Sequence, residues 1–172
     1  QVHIGEILEM VLDMFEDVMR QGSVAREPCF KMKVTMVDCK IHEDAIHRGP
    51  AQLYPAVRDG IRAAISLGAP LLYEPIQTLL FESPDEFMGE ISKLISNKRG
   101  QLLEMTQEGV RVLIKGKMPV AESFGLSNDL RSATGGRGTS SMVDQTFERM
   151  PNELQEKVIK QIRDRKGLTE AQ

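Results

Sequence analysis

The sequence predicts an α+β protein built from two small domains, and three observations carry that reading. Apolar residues recur at helical spacing near the start, again after Pro50, and again at the end of the chain. Between residues 76 and 149 they fall instead into four extended stretches, broken by two helical ones. A length of 172 residues leaves room for one or two small cores.

The elements follow in order. Ile4, Ile7, Leu8, Val11, Leu12, Phe15, Val18 and Met19 lie on one helical stripe, and Gly22 closes it. Phe30, Met32, Val34 and Met36 alternate with Lys31, Lys33 and Thr35, so a half-buried strand is expected over 30–39. Gly49-Pro50 ends the excursion that follows. Leu53, Val57, Ile61, Ala64 and Ile65 then predict a helix over about 51–67. Gly68-Ala69-Pro70 and Glu74-Pro75 punctuate the chain, and the domain boundary is placed between them.

Ile76 to Glu82 reads as a strand. Ser83-Pro84-Asp85-Glu86 has the pattern of a capping box with proline at the first helical position. Phe87, Ile91, Leu94 and Ile95 make the next helix amphipathic, and Gly100 ends it. Leu102–Thr106 and Val110–Lys117 flank Gln107-Glu108-Gly109 as a hairpin. A helix at about 121–133, with Ser127 as its cap, and a strand at about 140–149 complete βαββαβ, the ferredoxin-like order. Pro151 opens a last helix with acidic residues early and basic ones late, as the helix dipole favours. Leu154, Val158 and Ile162 form its apolar line. The segments expected are therefore 1–71, 72–149 and 150–172.

Composition narrows the function. A hydrophobic content of 41% with 27% charge fits a soluble globular chain. No apolar run approaches the ~18 residues of a membrane span. There is no export signal and no initiator methionine, so a cytoplasmic piece of a longer protein is expected. A net charge of −3 argues against a general nucleic-acid binder, yet leaves room for local RNA contacts. Cys29 and Cys39, at opposite ends of an extended stretch, would stand about 30 Å apart at ~3.3 Å per residue. That is far beyond the ~7 Å a disulfide tolerates, so both read as free thiols.

Three chemistries compete for the polar residues. Cys29, Cys39, His42 and His47 are spaced by ten, three and five residues, which is not the paired Cys-x2-Cys pattern of a zinc site, so no metal is expected. Gly135-Gly136-Arg137-Gly138 follows a helix rather than opening one, the wrong order for a phosphate cradle. Ser123, Ser127, Asp129 and Arg131 do not assemble a nucleophile, a base and an oxyanion site, so no catalytic residue is assigned.

What remains is Ile41-His42-Glu43-Asp44-Ala45-Ile46-His47-Arg48-Gly49-Pro50-Ala51-Gln52, a charged connection carrying two histidines. It resembles the diphthamide loop of the translocation elongation factors of archaea and eukaryotes, relatives of bacterial elongation factor G. Further matches follow in order: Glu74-Pro75-Ile76, Lys98-Arg99-Gly100-Gln101, the run from Pro119 to Gly125, the run from Leu130 to Gly136, and Arg165-Lys166-Gly167-Leu168. The resemblance covers essentially the whole chain, and Arg48-Gly49-Pro50-Ala51-Gln52 gives it an archaeal cast.

The resemblance implies domains four and five of such a factor. The first would be an incomplete ribosomal-protein-S5-like domain, its earlier strands lying upstream, with the last helix returning to it. His47 would be the modified residue. His42, Asp44, Arg48 and Gly49 would meet RNA at the tip, and Lys98 and Arg99 would contact ribosomal RNA. His42 also reads as a support for the loop, and neither it nor His3 matches the modified position. The implied partners are the ribosome at its decoding and factor-binding centres, transfer RNA, messenger RNA and the diphthamide-synthesis enzymes. The chain would be a non-catalytic, monomeric arm in ribosomal translocation. GTP and Mg²⁺ would belong to other domains of the parent, with no cofactor on this one. The competing reading is a ferredoxin-like regulatory or ligand-sensing module fused to a helical domain, since that fold hosts many functions.

Overall fold

The computed structural model describes residues 4–168. Two compact units form, one from the chain up to Leu71 together with the stretch from Pro151, the other from Leu72–Met150.

In the first unit, α1 (Ile4–Arg20) packs on α2 (Pro50–Leu67). Val18, Ile61 and Ile65 are buried between them, with Phe15, Met19, Val57 and Cys29 around the edge. Leu8 and Leu12 of the α1 stripe stay exposed, so only part of that face is covered. After α1 the chain turns back on itself, Cys29 donating its N–H to the carbonyl of Met19 at 2.7 Å. The thiol of Cys29 would lie 2.6 Å from any Cβ at position 22, which is why glycine stands there. α5 (Asn152–Lys166) is tied to this turn by its basic end. Arg163 donates to the carbonyl of Val24 at 2.9 Å. Lys166 donates to Ala25 and Arg26 at 3.1 and 2.8 Å and pairs with Glu27 at 2.6 Å. Leu154, Val158 and Ile162 are half-buried, while Gln155 is the buried residue of α5.

The strand expected over 30–39 does not form. The segment is coil, with Lys31 in a left-handed conformation, and Phe30, Met32, Val34 and Met36 are all exposed. Alternation marks a strand's two faces, but a strand also needs a neighbour for its backbone groups, and among the described residues none lies beside this one.

The second unit is a four-stranded antiparallel sheet in the order β2-β3-β1-β4, with two helices. Its elements are β1 (Tyr73–Pro84), α3 (Met88–Asn97), β2 (Gln101–Glu108), β3 (Arg111–Pro119), α4 (Leu126–Ala133) and β4 (Thr139–Arg149). Leu79 and Phe81 of β1, with Val112, Ile114 and Met118 of β3, pack against Ile91 and Ile95 of α3 and Leu126 and Leu130 of α4. The hairpin turns through Gly109, whose φ of +63° costs a glycine little. Met150 stays with this unit, its N–H donating to the carbonyl of Leu72 at 3.0 Å.

Two helix starts differ from expectation. Ser83 caps nothing: it is fully buried at the end of β1, paired with Val112, and its hydroxyl donates to the carbonyl of Pro84 at 2.9 Å. A 3₁₀ turn at Asp85–Phe87 leads into α3 instead. Ser127 lies inside α4, whose cap is Gly125 at φ +79°. A 3₁₀ turn over Val120–Glu122 occupies the residues before it, so the chain must reverse through a left-handed position that suits glycine.

Candidate functional site

His47 sits in a 3₁₀ turn, Ala45–Arg48, immediately before α2. Asp44 builds the turn. Its carboxylate accepts from the N–H of Ile46 at 3.0 Å, and its carbonyl accepts from the N–H of His47 at 3.2 Å. This is the local bonding that aspartate favours at caps and turns. Gly49 then caps α2 with extended backbone, and Pro50 takes the first helical position, where its missing N–H costs nothing.

The two histidines meet. Their rings stand edge to face, with centroids 4.6 Å apart and planes at 68°. Nδ1 of His42 accepts from the N–H of Asp44 at 3.0 Å, which leaves that nitrogen without a proton. Both rings are exposed, and so is Ile46, at 76%. An isoleucine this exposed gains little from burial, and nothing in the pattern of charges around it singled it out. Arg48 is half-buried and turned inward. Its Nη1 donates to the carbonyls of His42 and Glu43 at 3.1 and 2.7 Å. His3 lies outside the described residues.

Lys98 and Arg99 spend their charge inside the second unit. Lys98 pairs with Asp129 at 2.8 Å. Arg99 grips Glu74 through both terminal nitrogens, at 3.0 and 2.9 Å, and Glu122 through Nε at 3.0 Å. The Glu74 carboxylate beside it holds the guanidinium above its ordinary proton affinity, against the opposing pull of burial. Glu74 itself is only 5% exposed, so its charge depends on this partner. Sequence spacing gave no sign of this network, because its members lie 25 and 23 residues apart.

Cys29 and Cys39 are free thiols. Among the described residues no three His, Cys, Asp or Glu side chains gather to hold a metal ion, and no helix is long and apolar enough to cross a membrane. Gly136 and Gly138 line a shallow hollow with Ser127, Arg131 and Ser140, but the N–H of Gly138 already donates to Thr134 Oγ1 and that of Gly136 to the carbonyl of Arg131.

Comparison with known proteins decides the family. A family model described as Elongation factor G, domain IV matches residues 1–68, and one described as Elongation factor G C-terminus matches residues 71–158. The chain belongs to the elongation factor G family. Among its relatives, Elongation factor 2 of Nanoarchaeum equitans is 46% identical over 167 residues, 97% of this chain and 22% of the relative. Elongation factor 2 of Methanocaldococcus jannaschii is 48% identical over 97% of this chain and 23% of its own length. Elongation factor 2 of Pyrococcus furiosus is 46% identical over 96% of this chain, again 23% of the relative. The chain thus spans 22–23% of the length of these elongation factors. A crystal structure of a protein from Thermus thermophilus shares the fold at a TM-score of 0.78 and 21% identity, over 92% of this chain and 24% of that one.

Proposed function

We propose that this chain is the ribosome-engaging arm of a translation elongation factor and that it acts in translocation of transfer RNA with messenger RNA. The observation that carries the reading is the exposed His47 at the head of α2, followed directly by Arg48-Gly49-Pro50, in a chain whose relatives are named Elongation factor 2. On this reading His47 is the residue converted to diphthamide. A bulky cationic extension on an exposed turn meets phosphates and base edges of RNA. His42, Asp44, Arg48 and Gly49 complete that tip.

The mechanism is steric rather than catalytic. α2 has 18 residues, roughly 27 Å at ~1.5 Å per residue, and supports the turn at its N-terminal end. A stiff support lets the tip occupy a vacated space in the decoding centre without folding back. The timing step, GTP hydrolysis with Mg²⁺, belongs to other parts of the factor. The exposed apolar alternation over 30–39 fits a strand whose neighbours the rest of the factor supplies. We place the protein in the cytoplasm as a monomer, with the modifying enzymes as transient partners. On this reading Lys98 and Arg99 reach ribosomal RNA only through the donors their ion pairs leave free.

The test is labelling. A toxin-type ADP-ribosyltransferase labels the chain isolated from archaeal cells and leaves unlabelled the chain made in a bacterium without the modifying pathway. His47→Ala abolishes the label, while His42→Ala at most reduces it. Peptide spectra that place the natural adduct on His42 would overturn the assignment.

A further inference from the structure

The tip turn carries a residue whose role its charge conceals. We propose that Arg48, besides its place at the tip, is a positioning residue: one of its nitrogens closes the turn that holds the His47 ring, and through this it acts on His47. The proposal rests on the reading of His47 as the functional residue.

Arg48 stands at the end of the turn, and the carbonyls it grips, those of His42 and Glu43, stand at its start. One terminal nitrogen therefore bridges the mouth of the loop. Such bonds are charge-assisted, and the 2.7 Å contact with Glu43 lies at the short end of that class. Nε of the same group is also sealed from solvent. Inside the closed ring Asp44 is held at three atoms, by its N–H to His42, its carboxylate to Ile46 and its carbonyl to His47. The His47 imidazole has no hydrogen-bond partner of its own among the described residues. Its direction is thus set by the backbone of the turn and by the His42 ring 4.6 Å away, and both depend on the mouth staying closed.

Lysine keeps the charge. A single nitrogen makes both bonds, and an ammonium can hold two carbonyls as Lys166 does, so what lysine lacks at position 48 is reach and stiffness. Its stem is shorter and flexible, and it has no planar group with a buried Nε to fix the donor at the mouth of the loop. The pair Arg48→Ala and Arg48→Lys therefore separates a role in position from a role in charge.

The whole chain, labelled at histidine, is followed by NMR for the cross-peak between the His42 and His47 ring protons. The native chain shows it. Both variants lose it several-fold, while Lys40→Ala, which removes an exposed charge near the turn, keeps it. Circular dichroism checks that the helices survive, and if Arg48→Ala unfolds, Arg48→Lys decides. In parallel, the chain is expressed in an archaeal host, and intact mass gives the fraction carrying an adduct. That fraction falls by roughly tenfold or more in both variants, a misplacement of about 1 Å being enough to cost more than this. A cross-peak that persists in the variants, or an Arg48→Lys chain modified like the native one, overturns the proposal. Absence of any adduct on the native chain sinks the His47 reading instead, and the cross-peak still decides whether Arg48 positions the ring.

Discussion

Replacing Arg99 by alanine tests the ion-pair network of the second unit. The substitution removes two hydrogen bonds to Glu74, at 3.0 and 2.9 Å, and one to Glu122 at 3.0 Å. The Glu122 side chain is 41% exposed, so that arm contributes less than ~1 kcal/mol. The Glu74 arm dominates, because it leaves a carboxylate that is 5% exposed without a partner. Stripping one member from a buried pair costs about 3–5 kcal/mol. Arg99 is itself 31% exposed, so water reaches the gap and the low end applies, about 3 kcal/mol. For a unit of roughly 80 residues that lowers the melting temperature by more than about 10 °C. Urea and thermal unfolding, followed by circular dichroism, measure it. Glu74→Gln in the Arg99→Ala background recovers about 1–2 kcal/mol, since no charge is then left behind. A loss below ~0.5 kcal/mol in Arg99→Ala, or a double variant worse than the single one, would refute the reasoning.

Two further outcomes follow from packing and burial. Gly100→Ala puts a Cβ 2.6 Å from the carbonyl oxygen of Ile95 and 2.8 Å from that of Lys117. Neither backbone atom yields alone, so the variant loses about 2–3 kcal/mol in urea, while Gly89→Ala, with open space around it in α3, gains about 0.5–1 kcal/mol. With a thiol reagent at mildly alkaline pH, exposed Cys39 reacts quickly and Cys29 slowly, since burial raises the Cys29 thiol above its ordinary pKa. Folding then favours the protonated thiol, so the stability Cys29 contributes is full below the unfolded pKa and is lost as pH rises through the folded one. Cys29→Ala removes that alkaline part of the dependence, and equal reaction rates for the two thiols would contradict it.

How much was legible depended on how local the cause was. The β2–β3 hairpin could be read from alternation around Gly109, because turn and pattern lie within a few residues of each other. α2 could be read because Gly49-Pro50 marks its start and its apolar spacing continues to Ile65. Ser83 misled because its side chain was claimed by β1, whose pairing with β3 runs on to Pro84 and Arg111. The strand at 30–39 misled because alternation describes faces and cannot supply a partner. At the site, the place of His47 followed from the residues around it. The reach of Arg48 back to His42 and Glu43 did not, since a cationic side chain on a charged loop gives no sign that it turns inward.

The bond between Met150 and Leu72 has a consequence for how the chain assembles. The second unit begins and ends at one place, so once it has folded, the two flanks of the first unit leave it side by side. Before that, bringing α5 back to residues 24–27 means closing a loop that includes the roughly 80 residues of the sheet unit. The contacts of Arg163 and Lys166 close a loop of about 140 residues, which falls to roughly 60 once the sheet has folded; at ~0.6 kcal/mol for each doubling of length, that saves about 0.7 kcal/mol. The sheet domain therefore works as an entropic clip on the helical one. Loosening the sheet reaches the seat of α5 at residues 24–27 through the connectivity of the chain, and needs no contact between the two units to do so.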